Sequence, residues 1–129
     1  VNLVVVWAGA NDLASGYEAR EIFDNARAYC EARRGVGFTV VTLTMYPAEP
    51  VWMDRDFEIE RREYNELLRA HWPEFADALV DVAADERIGD RSPASREDYF
   101  LDVLHLNEDG YRVIADCVVR TLRALLPSS

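Results

Sequence analysis

The sequence predicts an α/β fold built on a parallel sheet of about three strands. Two apolar runs, Asn2–Trp7 and Phe38–Met45, are short and dense in β-branched residues. The segments that follow them carry apolar residues at helical spacing. The resulting order, strand–helix–strand–helix–strand–loop–helix, is the alternation that yields a parallel sheet with right-handed crossovers.

Taken in order, NLVVVW (2–7) is a continuous apolar run and reads as a strand buried on both faces. AGAND then breaks it. Ser15 and Glu18 have capping-box spacing, so a helix is expected from there to about Arg33, with Ala19, Ile22, Ala26, Tyr29 and Cys30 inward and Gly35 and Gly37 ending it. FTVVTLTM (38–45) is the second strand, and the two prolines of YPAEP keep the next stretch irregular. A helix from about Asp54 to Trp72 follows, with Phe57, Tyr64, Leu67, Leu68 and His71 along one stripe and Pro73 just beyond. ALVDVA (78–83) is a shorter third strand, and the polar residues 84–98 read as a loop. Asn107 caps a last helix to about Leu126 whose apolar face is Tyr111, Ile114, Ala115, Val118, Leu122 and Leu125.

The chain has 129 residues, enough for one small domain over 1–129, and half of them are apolar. It shows no internal repeat and no linker. Its net charge is −10, and all fourteen basic residues are arginine. So acidic a surface repels phosphate backbones and argues against nucleic-acid binding, and less strongly against anionic membranes. No apolar run is long enough to cross a bilayer. The chain opens on Val1 in mid-pattern with no visible signal peptide, which leaves its localisation open. Cys30 and Cys117 sit at apolar helix positions and read as buried thiols rather than a disulfide or metal pair.

In such a sheet the reactive groups belong beyond the C-terminal strand ends. The loops there carry Gly9–Asp12, then Tyr46–Trp52, then the segment ending in Asp102 and His105. An imidazole acts as a general base when one ring nitrogen faces the nucleophile and the other donates its proton to a fixed acceptor. Asp102, three residues before His105 in a bent loop, can be that acceptor. The plainer alternative is a turn cap beside a packed histidine. Gly9 permits a sharp exit from the first strand, and Asn11 can aim its amide at a developing oxyanion, a donor worth about 3 kcal/mol in a transition state. Its plainer alternative is an ordinary Asn-Asp turn.

Together, VVVWAGAND after a strand and DVLHLNEDGY before a C-terminal amphipathic helix resemble the third and last conserved blocks of the SGNH (GDSL-type) hydrolase superfamily, G-x-N-D and D-x-x-H. VVTLTMYP and ALVDVAADERIGD are similar to that family's fourth and fifth strands. The resemblance covers essentially the whole chain. It implies a three-layer, flavodoxin-like sheet and a serine esterase or lipase-like acyl hydrolase with an acyl-enzyme mechanism and no cofactor. His105 would be the base, Asp102 its orienting partner and Asn11 a side-chain oxyanion donor. Gly9 would shape the loop and Asp12 brace it. Apart from the resemblance, Tyr46 and Trp52 follow a strand end and so are candidates to line an acyl or alcohol pocket; the plainer alternative is that aromatics beside prolines anchor the loop. The substrate implied is a small-molecule, lipid or carbohydrate ester.

The sequence departs from the family at its start. The G-D-S block that supplies the nucleophile and the second block that supplies a glycine N–H donor both precede G-x-N-D, which here begins at residue 9. The family's strand order 2-1-3-4-5 would lose its first two strands and keep 3-4-5. The first strand here would then be an exposed edge, open to association. GDRS (89–92) carries an extra Arg and follows the last strand; Ser15 is expected as a helix cap, and Ser95 lies in a polar loop. The isolated chain is therefore expected to lack the nucleophile and to be inactive. Two alternatives stand beside this reading. One is a binding or assembly module that keeps the fold. The other is a metal-dependent hydrolase using Asp102, His105 and Asp98, a poor transition-metal set.

Overall fold

The computed structural model describes residues 1–48 and 56–128. Three strands, β1 (Leu3–Val6), β2 (Thr39–Leu43) and β3 (Ala78–Val80), form a parallel sheet in the order β1-β2-β3. Val5 pairs with Val41, and Leu43 with Val80. Among the described residues five α-helices surround them: α1 (Ala10–Ala14), α2 (Ala19–Gly35), α3 (Asp56–His71), α4 (Pro93–Tyr99) and α5 (Glu108–Leu125). The expected start of the second long helix at Asp54 lies outside the described residues.

The alternation of side chains along the strands divides the interior in two. On one face Val6 and Val40 pack with Ile22, Phe23 and Cys30 of α2 and with Phe57, Tyr64 and Leu68 of α3. On the other, Val41, Leu43 and Val80 pack with Val113 and Ile114 of α5, and with Ile88, Phe100 and Leu106 from the connection before it. Each such buried aliphatic side chain stabilises the fold by about 1.5–3 kcal/mol relative to exposure. β2 lies in the middle, and its buried Thr42 donates to the Val6 carbonyl at 3.4 Å, while Thr44 lies just beyond its end. The Thr44 hydroxyl donates to Asp81 (2.9 Å) and accepts from the Ala83 N–H (3.0 Å). Arg69 of α3 makes a two-pronged contact with the same Asp81, at 2.8 and 2.9 Å.

β1 departs from the expectation of a strand buried on both faces. Val6 is buried, Leu3 and Val4 are half-buried, and Val5 is 42% exposed. The strand is an edge, and α5 packs over β3 rather than over it.

Four further differences stand beside this one. Ser15 does not cap α2: its hydroxyl donates to the Asn11 carbonyl (2.9 Å) and closes α1, a short helix not expected from the sequence. The cap comes from α3, where Glu60 accepts the Ala19 N–H at 2.6 Å. The third strand ends at Val80 because Val82–Ala84 turns into a 3₁₀ segment. The expected loop 84–98 contains α4, started by Ser92, whose hydroxyl accepts the Ser95 N–H, and by Pro93 in the first turn. Finally, Tyr29, Tyr111 and Ala115 face outward, and Val113 takes the buried place in α5. The Asn107 cap is as expected, its side chain accepting the Gly110 N–H at 2.9 Å.

Candidate functional site

The chain leaves β1 through Trp7 and Ala8 and turns at Gly9. Gly9 adopts φ 110° and stands at the N-terminus of α1. That left-handed backbone favours glycine, and the surroundings demand it as well, since a β-carbon would lie 2.9 Å from Ile22 Cγ2. Asn11 and Asp12 follow on the first turn of α1, both exposed. The Asn11 carboxamide has no hydrogen-bond partner among the described residues, while its main-chain carbonyl accepts from Ser15. Asp12 ties the segment down through its main-chain carbonyl, which accepts the N–H groups of Ser15 (3.0 Å) and Tyr17 (3.1 Å).

The next loop begins where β2 ends. Asn65 of α3 binds both polar groups of the Met45 backbone: its Oδ1 accepts the N–H at 2.8 Å and its Nδ2 donates to the carbonyl at 2.9 Å. Buried Arg61 donates to the same carbonyl at 2.7 Å and is held on its other side by Glu58. Burial opposes the Glu58 charge, but the hydrogen bonds from Arg61 and then Arg62 hold its carboxyl below the ordinary range. Tyr46 follows, half-buried between Trp7 and Phe100 with ring centroids 5.7 and 5.8 Å away. Burial is the main reason its hydroxyl is pushed up to about 12, so it stays protonated at neutral pH.

Asp102 and His105 lie on a turn after α4. Asp102 Oδ1 accepts the N–H groups of Leu104 (2.8 Å) and His105 (2.6 Å), and Oδ2 stands 2.9 Å from His105 Nδ1. The backbone bonds, first that of His105 and then that of Leu104, followed by the ring contact, hold the Asp102 carboxyl down at about 2. It is thus ionised and, with Nδ1 protonated, accepts the hydrogen bond from that N–H. Both side chains are exposed, His105 at 61% and Asp102 at 46%.

A cleft of about 470 Å³ joins these segments. Its walls are Trp7 and Gly9–Asp12 from the first, Met45, Tyr46 and Ala48 from the second, Phe57 from α3, and Leu104 from the third. The segments carrying Asn11, Tyr46 and the Asp102–His105 turn therefore meet at one end of the sheet. His105 itself is not one of the walls; its neighbour Leu104 is. Trp52 lies outside the described residues. Arg61, Asn65 and Arg91 are polar side chains of this region that the sequence does not place at the site; the acids and arginines alternating along the 54–72 helix read as a solvated face, and Arg61 is instead buried. The first two had a signal, since Arg61 and Asn65 fall on the same helical stripe as Phe57, Tyr64 and Leu68.

Three described serines have other tasks. Ser15 binds the Asn11 carbonyl, Ser92 starts α4, and buried Ser95 donates to the Arg87 carbonyl at 2.6 Å. Among the described residues, no serine hydroxyl bonds to His105, and no three His, Cys, Asp or Glu side chains are grouped to hold a metal ion. No helix among them is long and apolar enough to cross a membrane. His71 is half-buried against the Phe23 ring, 5.8 Å between centroids.

Comparison with known proteins supports the fold independently. The chain superposes on a member of the lipolytic protein G-D-S-L family from Veillonella parvula with TM-score 0.73 at 18% identity, covering 95% of this chain and 64% of that one. It superposes on the OSK domain of Drosophila Oskar with TM-score 0.72 at 14% identity (93% and 61%). It also matches an alpha/beta hydrolase enzyme from the metagenome of Lake Arreo, Spain, with TM-score 0.68 at 23% identity (98% and 62%). At these identities the likeness is one of fold, and the chain spans about three-fifths of the length of each. No curated protein matches the sequence. The family model for the GDSL-like lipase/acylhydrolase family matches residues 1–113, which include Gly9, Asn11, Asp102 and His105. A parallel sheet of this architecture and a match of that extent agree: the chain belongs to the GDSL-like lipase/acylhydrolase family.

Proposed function

We propose that the protein is the Asp–His half of an SGNH-type serine ester hydrolase. His105 Nε2 takes the proton of a serine hydroxyl as that oxygen attacks an ester carbonyl. Asp102 holds the Nδ1 proton and stabilises the imidazolium as it forms. The Asn11 amide donates to the oxyanion of the tetrahedral intermediate. Collapse expels the alcohol, which takes the proton back from His105, and leaves an acyl-enzyme that water then hydrolyses by the same path. The nucleophile comes from outside the 129 residues, on a preceding segment or a partner chain. The substrate is an ester whose acyl or alcohol part fits beside Trp7, Tyr46 and Phe57. Asp12 braces the Asn11 segment. The chemistry calls for no metal or organic cofactor.

The observation that carries this reading is the Asp102 carboxylate, which binds two main-chain N–H groups with one oxygen and the His105 ring with the other. A turn cap needs the first contacts; the ring contact is additional and fixes a tautomer. A second reading, a binding or assembly module without turnover, is favoured by the engagement of each described serine within 1–127 elsewhere and by the open edge of β1.

The two separate in one experiment. The 129 residues alone, and the full polypeptide their gene encodes, are incubated with p-nitrophenyl acetate and with a serine-reactive phosphonate. Hydrolysis and labelling in the full polypeptide, with turnover falling ~10³-fold or more in His105→Ala, are expected. Full activity in His105→Ala overturns the reading, and phosphonate on Ser15, Ser92 or Ser95 overturns the assignment of the nucleophile. Silence of both proteins favours the binding module.

A further inference from the structure

Asp102 and His105 sit on an exposed turn, with Leu101 beside them 74% exposed. Leu104 packs against the core and the Leu101 N–H donates to the His105 carbonyl at 2.8 Å. The two acting side chains themselves are exposed, however, and a base must be held within a fraction of an ångström of its working position. The segment 89–92, GDRS, reaches the turn from outside. Gly89 passes so close to the connection before it that a β-carbon would overlap the Ala83 carbonyl oxygen. Asp90 accepts the Ser92 N–H at 3.0 Å. Between them Arg91 adopts φ 49°, the sole non-glycine residue with positive φ among those described. A side chain is seldom held there unless its contacts demand it.

Those contacts converge on the turn. One terminal nitrogen of Arg91 donates to the Val103 carbonyl at 2.7 Å and to Pro47 O at 3.3 Å; the other donates to the Asp102 carbonyl at 3.2 Å. The guanidinium lies 4.0 Å from the centroid of the Phe100 ring, which packs on Tyr46. A flat, always-charged fork suits this arrangement, because it stacks and donates to several carbonyls at once; an ammonium does one or the other.

We propose that Arg91 is the positioning residue of the Asp102–His105 turn, clamping its outer carbonyls to the Tyr46–Pro47 loop while Asp102's own carboxylate clamps the inner N–H groups. The turn is then held from both sides, and its place relative to the cleft is set by the loop that carries Tyr46. The relevance to turnover rests on the reading of His105 as the base; the clamp itself does not.

The test is made on the 129-residue chain by NMR, with two variants. Arg91→Lys keeps the charge and loses the fork. Arg91→Gly keeps, and eases, the left-handed backbone and loses the side chain. In the wild type the ¹⁵N shifts of the His105 ring are expected to report one tautomer, with the proton on Nδ1. In both variants the ring is expected to average between tautomers. The Asp102 carboxyl is expected to titrate roughly one pH unit or more above its wild-type value of about 2. Amide exchange at Val40 and Val41 in β2 is expected to stay as in the wild type. A wild-type tautomer and titration in Arg91→Lys reduces the role to charge and overturns the proposal. Loss of protection at Val40 and Val41 in both variants overturns it in favour of a general folding role. An averaging ring in the wild type sinks the clamp and the base assignment together. Unchanged hydrolysis in His105→Ala sinks the base assignment and leaves the clamp standing.

Discussion

The methyl of Met45 occupies the place where a side chain on Gly9 would begin: a β-carbon there would lie 2.5 Å from Met45 Cε. The loop after β2 thus sets how closely the loop after β1 may approach it. Gly9→Ala meets both this contact and a φ of 110°. It is expected to lower unfolding free energy by about 2–4 kcal/mol in urea titrations. Adding Met45→Ala should not restore stability, because the backbone strain stays and a cavity opens. A wild-type midpoint in Gly9→Ala would show that the turn relaxes freely.

Asn65 and Arg61 are unequal partners of Met45. Asn65 alone satisfies the buried N–H, whereas the carbonyl has both as donors. Asn65→Leu leaves the N–H unpaired and is expected to cost about 2–3 kcal/mol. Arg61→Met leaves the carbonyl its bond from Asn65 and is expected to cost roughly 1 kcal/mol less. Denaturation of both variants checks the order; a reversed ranking would place the strain elsewhere.

Acid sensitivity should trace in part to Asp85. Hydrogen bonding from the Arg87 guanidinium, against the opposing effect of burial and aided by the Arg87 N–H and the Cys117 thiol, holds this carboxyl at about 2. A carboxyl depressed in the folded state adds stability above its unfolded value near pH 4, and that stability is lost as pH falls toward 2. Asp85→Asn is therefore expected to flatten the stability profile between about pH 5 and 2, and to leave its shape above pH 6 unchanged. An unaltered acid limb would exclude this ion pair as its source.

Asp102→Asn discriminates a catalytic carboxylate from a turn cap. An asparagine oxygen still accepts the Leu104 and His105 N–H groups, so the turn should persist. Its NH₂ then faces Nδ1 and favours the opposite tautomer. In the full polypeptide, kcat is expected to fall by as much as ~10⁴ with stability above pH 5 nearly unchanged. Equal losses of activity and stability would mean that the carboxylate merely holds the turn.

What the sequence disclosed was what is local. The Asp102–His105 contact spans three residues, and the strands are short apolar runs, so both were legible. So was the Asn107 cap, which lies next to the helix it starts. What escaped was set across long separations. The cap of α2 is Glu60, 41 residues after Ala19, so the nearby Ser15–Glu18 spacing misled. Val5 looks like a core residue by type and is half bare because of where α5 lies. α4 has a polar, seven-residue sequence with little periodicity, yet Ser92-Pro93 was a legible start signal. Arg91 reaches Pro47 across 44 residues, and nothing in GDRS announces that.

The two free thiols lie under opposite faces of the sheet, Cys30 wholly enclosed beneath α2 and Cys117 half-enclosed on α5. Burial pushes the Cys30 thiol up to about 11, and burial followed by Asp85 raises Cys117 too, so neither reacts readily while its layer is shut. An alkylating dye followed by mass spectrometry would thus keep two separate clocks: one counts how often the outer helix breathes, the other how often the opposite layer lifts away.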